Sequence, residues 1–153
     1  MRGPDRSVEV FHSLALADYV TVLALTPDNK VPLVRQYRPA IQSDTIELPG
    51  GILDHGDTPA ECAERELFEE TGYRTTSPLI KLGCLATDVG RLENRLWCYF
   101  AVGVEHQSSW QAEEGVEPLL VELSEFKSAV CNSDFDNALH IALIGLAVMQ
   151  DLI

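Results

Sequence analysis

The segment from Glu47 to Gly72 constrains this chain more than any other. It holds eight acids (Glu47, Asp54, Asp57, Glu61, Glu64, Glu66, Glu69 and Glu70) against one base, Arg65, a net −7 within a chain whose net charge is −13. The same segment contains a well-bounded helix. Thr58 suits the N-cap, Pro59 the first helical position, and Glu61 completes a capping box. Gly72 is placed to stop the helix as the C′ residue. At about 100° per residue, Glu66, Glu69 and Glu70 fall within an arc of roughly 100°. Ala60, Ala63 and Leu67 occupy the neighbouring arc and can face a core. Three carboxylates therefore border the buried side of one helix.

That arrangement works against the helix. Like charges at i,i+3 and i,i+4 repel by about 0.2–0.5 kcal/mol per pair, and Arg65 relieves this only in part, by pairing with Glu61 or Glu69. Two readings follow from the spacing. One is a solvated acidic face. The other is a seat for Mg²⁺ or Mn²⁺, which prefer oxygen ligands and are often held by one or two carboxylates together with substrate phosphates.

The rest of the composition narrows the field. The 153 residues, 46% hydrophobic and 23% charged, suit a single globular domain, 1–153. The absence of a basic stripe argues against nucleic acid as a partner. The longest apolar stretch, Ile141 to Met149, falls short of the roughly 20 residues that span a bilayer, so no membrane is expected. The polar start, Met1 to Ser7, with Glu9 and Asp18 beyond it, does not read as a signal peptide. Cys62, Cys84, Cys98 and Cys131 form no CxxC pair and read as reduced, structural thiols, which suits the cytoplasm. His12, His55, His106 and His140 show no zinc-binding spacing. His140 lies in an apolar helix and reads as a satisfied core or interface histidine.

Strands are expected at Val8 to Phe11, Tyr19 to Leu25, Val31 to Tyr37, Thr45 to Leu48, Leu79 to Thr87, Leu96 to Val104 and Val116 to Leu123. Pro32 suggests that its strand is an edge or ends there. In Leu96 to Phe100, one face is expected in the core. Ser124 is a candidate cap for a short helix to Cys131, and Asp134 for a longer one to about Gln150. The intermixed order favours a mixed sheet with helices packed on it.

Gly51, Arg65-Glu66-Leu67, Glu69-Glu70 and Gly72-Tyr73 together resemble the Nudix box, Gx5Ex7REUxEExGU, where U is a bulky aliphatic. Asp57 stands where the family has Glu, and Tyr73 replaces the final aliphatic. The resemblance implies an α/β fold, an α/β/α sandwich with a mixed β-sheet and the box helix on one face. It also implies metal-dependent hydrolysis of a nucleoside diphosphate linked to another moiety. Carried over, Glu66 and Glu70 would be the principal ligands of Mg²⁺ or Mn²⁺. Glu69 would be a further ligand or the water-orienting base, and the Gly50 carbonyl one more oxygen. Arg65 would orient the glutamates.

The stretch Val31 to Pro39, with Arg35-Gln36-Tyr37-Arg38, followed by Glu47-Leu48-Pro49-Gly50-Gly51, resembles the ADP-ribose and nucleotide-sugar pyrophosphatase branch. That likeness implies a phosphate contact for Arg35 or Arg38 and a substrate-binding position for Glu47; the structural alternative is an ion pair of the arginine with Glu47 or Asp44. It also implies a catalytic base from the acidic loop Gln111 to Glu117, with Glu113 or Glu114 as candidates. Two departures are Gly50 in place of the branch's Ala and the lack of a proline in Thr87 to Asn94. Trp110, in a polar loop, either stacks on a base or packs against the protein. Residues 1–18 form a short N-terminal extension available for a dimer contact, and a homodimer is expected.

The favoured activity is thus hydrolysis of ADP-ribose or a nucleotide sugar to a nucleoside monophosphate and a sugar phosphate. The alternatives are a nucleoside triphosphate or dinucleoside polyphosphate pyrophosphatase, and a non-catalytic Nudix-fold sensor.

Overall fold

The computed structural model describes residues 10–112 and 114–153. The first two residues of the strand expected at Val8 to Phe11 lie outside this range, and Val10 and Phe11 are not in a strand. The chain runs β1 Tyr19–Leu25, β2 Lys30–Arg38, β3 Ser43–Glu47, β4 Gly50–Ile52, α1 Pro59–Thr71, β5 Tyr73–Arg74, β6 Ile80–Ala86, β7 Arg95–Val102, β8 Glu105–His106, β9 Val116–Glu122, α2 Leu123–Cys131 and α3 Ala138–Met149.

A four-stranded sheet, ordered β4-β1-β7-β6, forms the centre. It is mixed, because β1 runs parallel to β7 while β4 and β6 are antiparallel to their neighbours. Strand β1 is apolar on both faces, and its alternation feeds two cores. Val20, Val22 and Ala24 pack with Cys62, Ala63 and Leu67 of α1. Leu23 and Leu25 pack with Phe126 of α2 and with Leu143, Ile144 and Ala147 of α3. Strand β7 does the same: Trp97, Tyr99 and Ala101 face α1, and Leu96, Cys98 and Phe100 face α3. Both faces of this strand therefore serve a core, where one was expected. The result is an α/β/α sandwich with α1 on one face of the mixed sheet and α3 on the other.

The expected mixed sheet is present, and the remaining strands pair apart from it. A separate antiparallel sheet, β3-β2-β9, and a two-stranded pair, β5-β8, accompany the first. Pro32 lies in the central strand of the three-stranded sheet. It is tolerated because β3 pairs with β2 only from Val34 onward, so Pro32 has a ladder partner, Leu120, on one side.

The helix starts also differ from expectation. Helix α2 begins at Leu123 with no side-chain cap, its first N–H bonding the Asn29 carbonyl at 3.0 Å. The residues after it are drawn back: the Asp134 and Phe135 N–H groups both donate to Ala129 O, and Phe135 packs edge-on against Phe126. Helix α3 therefore starts at Ala138, with Asn137 rather than Asp134 as the cap.

Candidate active site

Helix α1 begins as its sequence dictates. Thr58 Oγ1 accepts the Glu61 N–H at 3.3 Å, and Glu61 Oε2 accepts the Thr58 N–H at 3.0 Å. Such caps contribute about 1 kcal/mol. At the other end Gly72 adopts φ 77°, and its N–H donates to Phe68 O at 2.8 Å. A Cβ at Gly72 would stand 2.7 Å from both His106 Nε2 and Trp110 Cδ2. Trp110 packs here and donates its indole N–H to the Glu69 carbonyl at 2.9 Å, satisfying a group that the helix end leaves open. Trp110 is thus seated against the protein, as the packing alternative holds.

Strand β4 lies across the middle of α1 and brings its glycines to the carboxylates. Gly50 N–H donates to Glu70 Oε2 at 2.9 Å, and Glu70 is buried. A Cβ at Gly51 would stand 2.4 Å from Glu66 Cδ, and one at Gly50 would stand 2.2 Å from Val20 O. A side chain at either position would displace the Glu66 carboxylate or the strand. Strand β4 is not among the strands expected from the sequence, and it provides this close approach of backbone to carboxylate.

Arg65 gathers the remaining acids. Its Nη1 donates to Glu66 Oε1 at 2.8 Å and Glu69 Oε2 at 3.0 Å, while Nη2 lies 3.5 Å from Asp54 Oδ2 and 3.7 Å from Asp57 Oδ2. Glu61, the other partner considered, is engaged in the capping box instead. Burial works against the Arg65 charge, but Glu69 and Glu66 outweigh it and raise its pKa further above the ordinary value. Among the described residues, no three His, Cys, Asp or Glu side chains converge as an assembled ion cage. The donor chemistry nonetheless fits a hard divalent cation. Glu66, Glu69 and Glu70 offer only carboxylate oxygens, and one guanidinium leaves its four acidic partners with a net −3.

A cleft of about 790 Å³ opens beside these glycines. Its polar wall includes Arg38, Glu47, Gly50, Gly51, Asn94, Asp136, Asn137 and His140; Leu16, Tyr19, Ile41, Ile52 and Leu139 supply apolar surface. Arg38 is paired with Glu47 here, Nε and Nη2 donating to Oε1 and Oε2 at 2.6 and 2.8 Å. Thr45 adds a hydroxyl donor to Glu47 at 2.5 Å. Burial alone would raise the Glu47 carboxyl, but Arg38 and Thr45 overcome it and hold the pKa below the usual value. His140 Nδ1 accepts the Leu48 N–H at 3.2 Å.

The other candidates lie apart. Arg35 is absent from this cleft wall, and its Nη1 donates to Glu117 Oε2 at 3.1 Å. Glu114 is exposed in the loop before β9. Glu113 lies outside the described residues. Sequence reasoning missed Thr45 and the Leu48–His140 bond. Thr45 could have been found from the strand period of two, which puts it on the same face as Glu47. His140 gives no local signal, because its partner is 92 positions away.

The NUDIX domain family matches residues 15–137. The chain is 34% identical over 109 residues to the methanol dehydrogenase activator of Bacillus methanolicus, and 33% identical over 109 residues to the ADP-ribose pyrophosphatase of Bacillus subtilis. Each alignment covers 69% of this chain and 58% of the relative, so the chain spans less than two thirds of either relative's length. Among solved structures, an ADP compounds hydrolase superposes with a TM-score of 0.74 at 21% identity, covering 89% of this chain and 75% of that one. A NUDIX hydrolase from Nitrosomonas europaea gives 0.68 at 17% identity, covering 88% and 89%. The box residues lie within the matched span, on a fold that these structures share, and the chain belongs to the NUDIX family.

Proposed function

We propose that this chain hydrolyses the pyrophosphate bond of a nucleoside diphosphate derivative in a metal-dependent reaction, with ADP-ribose or a nucleotide sugar favoured. The products are a nucleoside monophosphate and a sugar phosphate. The observation that carries this reading is the seating of Glu66 and Glu70 against Gly51 and Gly50 on the wall of the cleft. In a protein so acidic, an anionic substrate needs a cation between it and these carboxylates.

Glu66 and Glu70 would hold Mg²⁺ or Mn²⁺, with Glu69 and the Gly50 carbonyl as further oxygens. A divalent cation there neutralises the pyrophosphate, polarises it and acidifies a water. Arg65 sets the directions of Glu66 and Glu69 through its two Nη1 bonds. Arg38, on the cleft wall, is better placed than Arg35 to meet a phosphate, and Glu47 fixes its plane. Glu69 and the loop acids Glu113 and Glu114 are the candidates for taking the proton of the attacking water. The reading includes a homodimer, supported by Val10, Phe11, Leu14 and Leu16, which stand 76, 69, 62 and 54% exposed.

The test is incubation with Mg²⁺ and a panel of ADP-ribose, nucleotide sugars, dinucleoside polyphosphates and nucleoside triphosphates, with products resolved by chromatography. Monophosphate release from the first two, abolished by EDTA, is expected. Preferred cleavage of the last two would move the chain to that class of pyrophosphatase. Binding without turnover, with Mn²⁺ also tried, would identify a sensor.

A further inference from the structure

The turn from Leu48 to Gly50 joins the cleft to the carboxylate helix, and three consecutive residues of it are tied to three different elements. Leu48 N–H donates to His140 Nδ1 on α3 at 3.2 Å. Pro49 O accepts the Val22 N–H of β1 at 3.0 Å. Gly50 N–H donates to Glu70 Oε2 on α1 at 2.9 Å. Pro49 has a fixed φ, so a movement of Leu48 is passed on to Gly50 with little local slack.

His140 is built to hold its end. It is 5% exposed, and Leu48 is 2% exposed. Asn137 Oδ1 accepts the His140 N–H and caps that turn of α3, and the Phe135 ring lies 6.1 Å from the imidazole. An Nδ1 that accepts a hydrogen bond is unprotonated, so the ring proton sits on Nε2.

We propose that His140 is a positioning residue for the metal-holding carboxylates: its Nδ1 fixes Leu48 and, through Pro49, the Gly50 N–H that aims Glu70. This rests on the reading of Glu70 as a metal-holding residue given above. His140 acts through the backbone turn, as supporting hydrogen bonds do at metal sites generally.

Mn²⁺ binding by the substrate-free protein, followed by the electron paramagnetic resonance signal of free Mn²⁺, tests this on wild type, His140→Leu and His140→Asn. Thermal melts establish that each variant is folded at the assay temperature. His140→Leu is expected to weaken Mn²⁺ binding about tenfold or more. His140→Asn, which keeps a side-chain acceptor, is expected to recover most of the loss. A folded His140→Leu with wild-type affinity overturns the inference, as does an Asn variant as weak as the Leu variant. Imidazole ¹⁵N shifts of the wild type provide a measurement that needs no variant to fold. The Nε2–H tautomer is expected, and a proton on Nδ1 at neutral pH overturns the inference. Wild-type protein that binds no Mn²⁺ overturns the metal reading of Glu70 and this inference with it. Normal wild-type binding with an unaffected Leu variant overturns the inference alone.

Discussion

Arg38 gives Nε–H and Nη2–H to a single carboxylate, Glu47, whereas Arg65 is shared among Asp54, Asp57, Glu66 and Glu69. The Glu47 side chain is 7% exposed; those of Glu69 and Asp54 are 49 and 73% exposed. In the first case the charge is cancelled in a planar pair whose carboxylate is largely removed from water. In the second, one cation is shared by four anions, three of which stand well exposed to solvent. One arginine closes a two-residue unit, and the other links a cluster of carboxylates.

Breaking the carboxylate cluster should have the largest effect. Glu70→Gln keeps the shape but removes a charge and alters the acceptor for Gly50 N–H. Turnover of the preferred substrate should fall about 10²–10³-fold, the loss of several kcal/mol of transition-state stabilisation, measured as kcat/KM under saturating Mg²⁺.

Breaking the closed pair should appear in stability. Arg38→Ala leaves Glu47 buried without its counter-charge. Because Arg38 is 46% exposed, the cost should be about 2 kcal/mol rather than the larger penalty of a fully buried pair, read from urea unfolding. Arg65→Ala sharpens the contrast: Mn²⁺ affinity should fall about tenfold, while stability changes by about 0.5 kcal/mol or less.

Acid should loosen the closed pair and the buried His140 beside it. Burial pushes His140 down to about 4, with Glu47 pulling upward and Arg38 pushing downward. The unfolded chain, with imidazole near its ordinary value of about 6.5, therefore binds more protons between those limits. Stability should fall as pH drops from about 6.5 to 4. Glu47, held below its ordinary value, should add a further loss as pH passes below about 4.3. Melting temperatures across this range, with His140→Asn flattening the upper part of the fall, check the assignment. The smallest effect is expected at the exposed Arg35–Glu117 pair, where Arg35→Ala should cost about 0.5 kcal/mol or less.

The parts of the molecule that could be read in advance are those whose causes are local. The bounds of α1 follow from Thr58, Pro59, Glu61 and Gly72, all within one turn of the ends they set. The carboxylates could be placed on one arc because the helix period is fixed. What escaped depends on distant partners. Strand β4 exists because Gly50 and Gly51 fit against β1 and Glu66. Helix α3 starts late because Phe135 turns into the core beside Phe126. The division into separate sheets follows from which strands meet, and alternation within a strand carries no record of that. His140 had the composition of a core residue, and its use as an acceptor for Leu48 depends on a fold-level approach of α3 to the β3–β4 turn.

The bond from Trp110 to the Glu69 carbonyl also makes the acidic loop optically addressable. The chain's other tryptophan, Trp97, is anchored in the mixed sheet by its indole bond to Asp18 and by Lys81 over its ring. With Trp97 changed to Phe, all indole emission would come from the end of the carboxylate helix. Its wavelength and quenching would then report the surroundings of this one indole, where it bonds the Glu69 carbonyl, in real time and without a label.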